Sequence, residues 1–143
     1  MSNKFITPAN SKGLGCLYSH HDRNVVILPG SEETSLQIYD SKTKIEIVEY
    51  NLSEKPKVFA ANIHGDIFAF AGETGKEIHV HKLPDGTEYK SYARGATAIE
   101  VTSIVFDKYC FRMAVASKGS TVHVYSLPKE LGLNGKSQEE VKN

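Results

Sequence analysis

The sequence predicts an all-β protein, a partial β-propeller of about three four-stranded antiparallel blades, and three observations carry that prediction. The apolar stretches are short and rich in Val, Ile, Phe and Tyr: LGCLYS, NVVILPG and SLQIYD, then KVFAAN, IFAFAG and EIHVHKL, then VTSIVF, RMAVAS and TVHVYSL. Runs of this length, separated by Gly, Pro, Asn and Asp, read as strands joined by tight turns. The rhythm also repeats: Ile38, Val80 and Val124 hold matching places in the third strand of each set, about 42–44 residues apart. That is the period of one four-stranded propeller blade.

The elements follow in order. Residues 1–12 are polar, with one Pro and two Asn, and read as an extended lead-in. Residues 13–19 make a first strand, His20-His21-Asp22-Arg23 a turn, and residues 24–28 a second strand closed by Pro29-Gly30. Residues 35–39 and 44–50 complete the first blade (13–50). The second blade (57–92) comprises residues 57–62, the turn His64-Gly65-Asp66, residues 67–71, the turn 72–75, residues 77–83, the hairpin signal Pro84-Asp85-Gly86 and an outer strand at 88–92. The charges on that last strand suit an edge beside solvent. The third blade (100–127) has strands at 100–106, 112–117 and 121–127. Residues 128–143 have no β pattern and read as a polar tail or truncated loop, with one helical turn at 129–131. A propeller piece of under three full blades leaves open sheet faces, so the chain either assembles with the remaining blades of another chain or a second copy, or is part of a longer propeller; the third alternative is a fragment that is unstable alone.

Bulk properties narrow the classes. The chain has 143 residues, 40% hydrophobic and 24% charged, as in one ordinary soluble domain. Lys and Arg total 17, as do Asp and Glu, so no net field draws the chain to nucleic acid. Cys16 and Cys110 form no CxxC and read as buried free thiols, each within a strand. No apolar run is long enough to span a bilayer, and the lead-in has no secretory apolar core. A cytoplasmic, reducing location is therefore expected.

At NSKGLGCL, VVILPG…SLQIYD, FAFAGETGKEIHVHKL, YARG and VTSIVF…AVASKGSTVHVYSL the chain resembles the C-terminal half of a PROPPIN. These are seven-bladed, WD-repeat-related propellers that bind phosphoinositides in autophagy and include the animal WIPI proteins. The resemblance covers about residues 10–127, and its most specific piece is S-x-G-x-TVHVY-x-L. KGL…LPG…SLQIYD is similar to the subgroup of WIPI types three and four. The family carries Phe-Arg-Arg-Gly or Leu-Arg-Arg-Gly at a blade junction. Its two arginines point opposite ways, as neighbours on an extended chain do, and each anchors a headgroup pocket.

Here that motif is Tyr92-Ala93-Arg94-Gly95, so the first arginine is missing. The first pocket's Ser and Thr are also missing from the turn Ala71-Gly72-Glu73-Thr74-Gly75-Lys76, and Glu54 stands near where relatives place a His. The resemblance therefore implies one surviving headgroup site: Arg94 and Gly95, with Ser117 and Thr121 from the last turn and Lys118 and Ser120 between them. Ala96 replaces a family Thr, with Thr97 adjacent. Physical chemistry supports the same grouping, because a phosphomonoester is held by a guanidinium fork, hydroxyls and turn N–H groups converging from two sides. The plainer alternative pairs Arg94 with a carboxylate and leaves 117–121 a simple turn. The family's bilayer-dipping loop would start within 128–143, where Leu131, Leu133 and Val141 offer little apolar surface. A single site without such a loop implies weak, peripheral attachment.

Other constellations carry less. His79 and His81 share a strand face but lack a third ligand, so a structural role is read and no metal is expected. His20-His21 reads as an exposed turn and His123 as a structural hydrogen-bonding residue. Gly72–Lys76 lacks the spacing of a phosphate loop, and neither a Gly-x-Ser-x-Gly elbow nor an oriented Cys/His pair is present, so neither an enzyme nor a cofactor is expected. The function expected is recognition of phosphatidylinositol 3-phosphate or 3,5-bisphosphate, bringing autophagy proteins to endosomal or autophagic membranes. The alternatives are a WD-repeat interaction scaffold that has lost lipid binding, or a truncated fragment without function.

Overall fold

The computed structural model describes residues 4–20, 23–40, 46–65, 67–83 and 86–128. The turn residues His21, Asp22, Asp66, Pro84 and Asp85, the start of the expected fourth strand, the expected turn at 129–131 and the tail all lie outside those residues. The described chain is all-β. Its first sheet holds β1 (Cys16–His20), β2 (Arg23–Pro29), β3 (Ser35–Asp40) and β4 (Glu46–Asn51). The second holds β5 (Val58–Ala61), β6 (Ile67–Ala71), β7 (Glu77–Lys82) and β8 (Glu88–Ala93), and the third β9 (Val101–Phe106), β10 (Arg112–Ser117) and β11 (Val122–Ser126). Every neighbouring pair is antiparallel and consecutive in sequence, the up-and-down order of a propeller blade. Among the described residues the third sheet has three strands.

Two expected positions change for local reasons. The first strand starts at Cys16, not at residue 13, because Asn10 ends the lead-in in a turn. Gly13 N donates to Asn10 O at 3.0 Å, and the Asn10 side chain brackets Leu14, accepting from its N–H at 2.9 Å and donating to its carbonyl at 2.8 Å. Cys110, expected within a strand, sits in the β9–β10 turn with φ 61°. There Asp107 organises the chain reversal, its Oδ1 accepting from Phe111 N at 2.6 Å and Arg112 N at 3.0 Å.

The blades stack through two apolar layers. Strand β6, IFAFA, is buried along its whole length because it faces a neighbour on both sides. Phe68 and Phe70 join Tyr18, Ile27 and Ile38 in the layer shared with the first blade. Ile67, Ala69 and Ala71 join Met113 and Val115 in the layer shared with the third. Period-two geometry sends alternate residues to opposite faces. The inner strands β1, β5 and β9 lie side by side, so the crossings from outer to inner strand share one rim with the β6–β7 and β10–β11 turns.

Candidate functional site

The site expected from sequence lies where the chain crosses from β8 to β9. Residues 94–100 thread between two turns. On the second blade's side, Arg94 N donates to Lys76 O at 2.7 Å and Ile99 N to Thr74 O at 3.0 Å. On the third blade's side, Lys118 N donates to Glu100 O at 2.9 Å. Gly75 is required at the first turn: its φ is 62°, and a Cβ there would stand 2.0 Å from Ile99 O. Ile99 is thus a wedge, touching the Gly75 turn with its carbonyl and lying 3.4 Å from a Cβ placed on Gly119 with its side chain.

Arg94 is 8% exposed. Its Nε donates to the carbonyl of Gly75 and its Nη2 to that of Thr97. The guanidinium therefore rivets the crossing to the preceding turn with charge-assisted bonds, and its partners are carbonyls, not the carboxylate that the plainer sequence alternative supposed. The rest of its N–H groups meet no protein acceptor among the described residues. Across the seam Tyr125 donates its hydroxyl to Ala93 O at 3.1 Å, and its ring lies 5.3 Å from that of Tyr92. Partial burial raises the Tyr125 pKa, and the nearby Arg94 charge opposes the rise.

The other expected residues sit on the far side of the wedge. Ser117 is half-buried and its Oγ accepts from Gly119 N at 3.3 Å. Ser120 and Thr121 are exposed, Thr121 Oγ1 lying 3.4 Å from His123 Nε2. Lys118 Nζ is 2.7 Å from Glu100 Oε2, and Lys12 Nζ is 3.2 Å from Oε1 of the same carboxylate. Those two ammonium groups, Lys118 first, hold the Glu100 carboxyl below its ordinary pKa. Gly95 is exposed with open space around it. Among the described residues no hydrogen bond joins Arg94 to Ser117, Lys118, Ser120 or Thr121. Sequence reasoning missed Lys12, Ile99 and Tyr125, and no local pattern marks residues that meet only through blade stacking.

The residues at which the resemblance places the family's first pocket contact one another. Glu54 lies over Gly72, where a Cβ would stand 1.6 Å from its Oε1. Its Oε2 is 2.9 Å from His79 Nε2, and His79 Nδ1 faces Ser91 Oγ at 3.0 Å and Glu88 Oε1 at 3.4 Å. Phe70 stacks on the His79 ring at 4.7 Å. Desolvation pushes the Glu88 carboxyl up, but hydrogen bonds from Ser91 and His79 and the charges of His81 and His79 outweigh it and hold the pKa low. His81 shares the face with His79 as the spacing predicts, its Nδ1 donating to Gly86 O at 2.8 Å. Both imidazoles face protein groups, and the described residues hold no group of three or more metal-ligating side chains.

Comparison with known proteins gives a consistent result. The PROPPIN family model matches residues 3–141. Autophagy-related protein 18 of Caenorhabditis elegans is 28% identical over 141 residues, covering 96% of this chain and 34% of that protein. WD repeat domain phosphoinositide-interacting protein 1 of Xenopus laevis is 31% identical over 124 residues, covering 85% of this chain and 29% of that protein. The chain thus spans about a third of the length of these relatives. Among solved structures, KlAtg21 in complex with the coiled-coil of AgAtg16 superposes with a TM-score of 0.68 at 16% identity, covering 84% of this chain and 42% of that one. Hsv2p of Kluyveromyces lactis superposes at 0.67 and 16% identity, covering 83% and 40%.

Proposed function

Because this chain belongs to the PROPPIN family, we propose that it recognises phosphoinositide headgroups as part of a propeller acting in autophagy, by binding and without catalysis. The ligand class is phosphatidylinositol 3-phosphate or the 3,5-bisphosphate. The observation that carries the reading is Arg94, held at a blade rim with N–H groups left over, next to a turn exposing Lys118, Ser120 and Thr121. A phosphate would approach over the exposed Gly95 and Thr97, taking those N–H groups and, across Ile99, the turn's hydroxyls and ammonium. One pocket gives weak, peripheral attachment, since stable membrane binding takes two signals. The cytoplasm and the surface of endosomal or autophagic membranes are the location this implies, and autophagy proteins are the partners. The finer placing with WIPI types three and four rests on the first-blade wording alone.

Flotation with vesicles containing either lipid tests it. Ser120→Ala/Thr121→Ala and Lys118→Ala are the informative variants, since these side chains are exposed and Arg94 also holds the seam together. Loss of one charge-assisted contact should weaken binding about tenfold. Equal flotation of wild type and variants, or no flotation of either, rejects the proposal. A second reading, a protein scaffold that has lost lipid binding, is favoured by the Glu54–His79 contact over Gly72, where the resemblance places the first pocket. It expects partner capture in the absence of lipid.

A further inference from the structure

Glu100 already holds an anion's place beside the candidate headgroup site. Its carbonyl accepts from Lys118 N at 2.9 Å, just beyond the last pair of β9 and β10, Val101 with Ser117, so the backbone fixes the two residues next to each other. Its carboxylate then takes two ammonium groups, one on each oxygen: Lys118 Nζ at 2.7 Å from Oε2 and Lys12 Nζ at 3.2 Å from Oε1. Lys12 comes from the lead-in to the first blade, 88 positions away in sequence, where the Asn10–Leu14 bracket sets the path of the chain. Lys12 and Glu100 also line, with Lys57 and Glu73, a cavity of about 190 Å³, several times the volume of a water molecule. Lys57 is half-buried and makes no ion pair with a described residue. With Lys118 included, three ammonium groups meet two carboxylates here.

The two ion pairs exchange easily. The side chains of Lys118, Lys12 and Glu100 are 66%, 49% and 36% exposed, and pairs in contact with water contribute little to folding. A phosphomonoester carries about two negative charges at neutral pH, against the single charge of a carboxylate, and presents three acceptor oxygens. Two ammonium groups already gathered on one carboxylate are therefore placed to take a phosphate in its stead.

Building on the headgroup reading above, we infer that Glu100 is an internal competitor for the phosphate: it holds Lys118 and Lys12 until a phosphomonoester displaces it, and Lys12 is a further ligand residue of that site. The carboxylate thereby holds the affinity of the site down.

Flotation with vesicles containing phosphatidylinositol 3-phosphate, beside calorimetric titration with soluble inositol 1,3-bisphosphate, tests this on the 143-residue chain. Glu100→Gln keeps the side-chain size and the backbone contact, and should tighten binding about tenfold in both assays, the worth of one charge-assisted contact. In a Lys118→Ala background the same change should gain about threefold or less, because the cation it releases is absent. Adding Lys12→Ala to Glu100→Gln should cost about fivefold. Glu33→Gln is the matched control: it removes an equal charge from an exposed pair, with Lys55 at 3.4 Å, and should change binding by less than about twofold. Far-UV circular dichroism verifies that each variant is folded. A Glu100→Gln that binds as the wild type does, an equal gain from Glu33→Gln, an undiminished gain without Lys118, or a gain on vesicles alone would each overturn the inference, while wild-type flotation still supports the headgroup reading. No binding by the wild type or by Glu100→Gln in either assay rejects the headgroup reading itself, and the inference with it.

Discussion

Replacing Arg94 with Ala removes two charge-assisted hydrogen bonds from a side chain that is nearly out of water. Bonds to a charged group contribute about 1.5–3 kcal/mol each. Gly75 is buried but Thr97 is exposed, so water can replace much of the second bond, which brings the expected loss to about 2–4 kcal/mol. At a urea dependence of about 2 kcal/mol per molar, the unfolding midpoint should fall by about 1–2 M. Arg94→Lys keeps the charge but not the planar fork, so it should recover at most one of the two bonds and sit between Ala and wild type. Urea titration followed by circular dichroism reads all three. A midpoint for Arg94→Ala within about 0.3 M of wild type would refute the rivet argument and leave the guanidinium free for a ligand. The two roles separate experimentally, because a variant that unfolds early and a variant that merely loses vesicles have different midpoints.

Two further outcomes follow from the same seam. Glu88 has a lowered folded pKa, so its contribution to stability is present above the ordinary carboxyl value of 4.5 and is lost as pH falls through the folded value. The midpoint gap between wild type and Glu88→Gln should therefore be small at neutral pH, no more than about 1 kcal/mol for so exposed a carboxylate, and should close on acidification; a gap that widens contradicts the assignment. Gly75→Ala should cost about 2–4 kcal/mol, since a Cβ meets both a positive φ and the Ile99 carbonyl, whereas Gly95→Ala, with nothing within 4 Å, should stay within about 0.5 kcal/mol in thermal unfolding.

Strand identity was legible in the chain because it depends on short runs between turn residues, and the blade period because matching runs return every 42–44 residues or about that; that IFAFA is buried on both faces came from the stacking of the sheets. The PROPPIN wording was legible for the same reason, being written in those strands and turns. That Ala93 stands where the resemblance places the family's first arginine needed no coordinates. Where Arg94 spends its hydrogen bonds did: the sequence offered a phosphate or a carboxylate, and the partner found is a carbonyl, that of Gly75 nineteen positions back. Glu54 over Gly72 and against His79, Lys12 with Lys118 on Glu100, and Tyr125 on Ala93 belong to the same class. The sequence alone determined which face of each strand is apolar and how often the pattern returns. The tertiary structure decided which side chains meet at the seams, because those meetings depend on the angle and spacing at which whole sheets stack, quantities that no stretch of a few residues encodes.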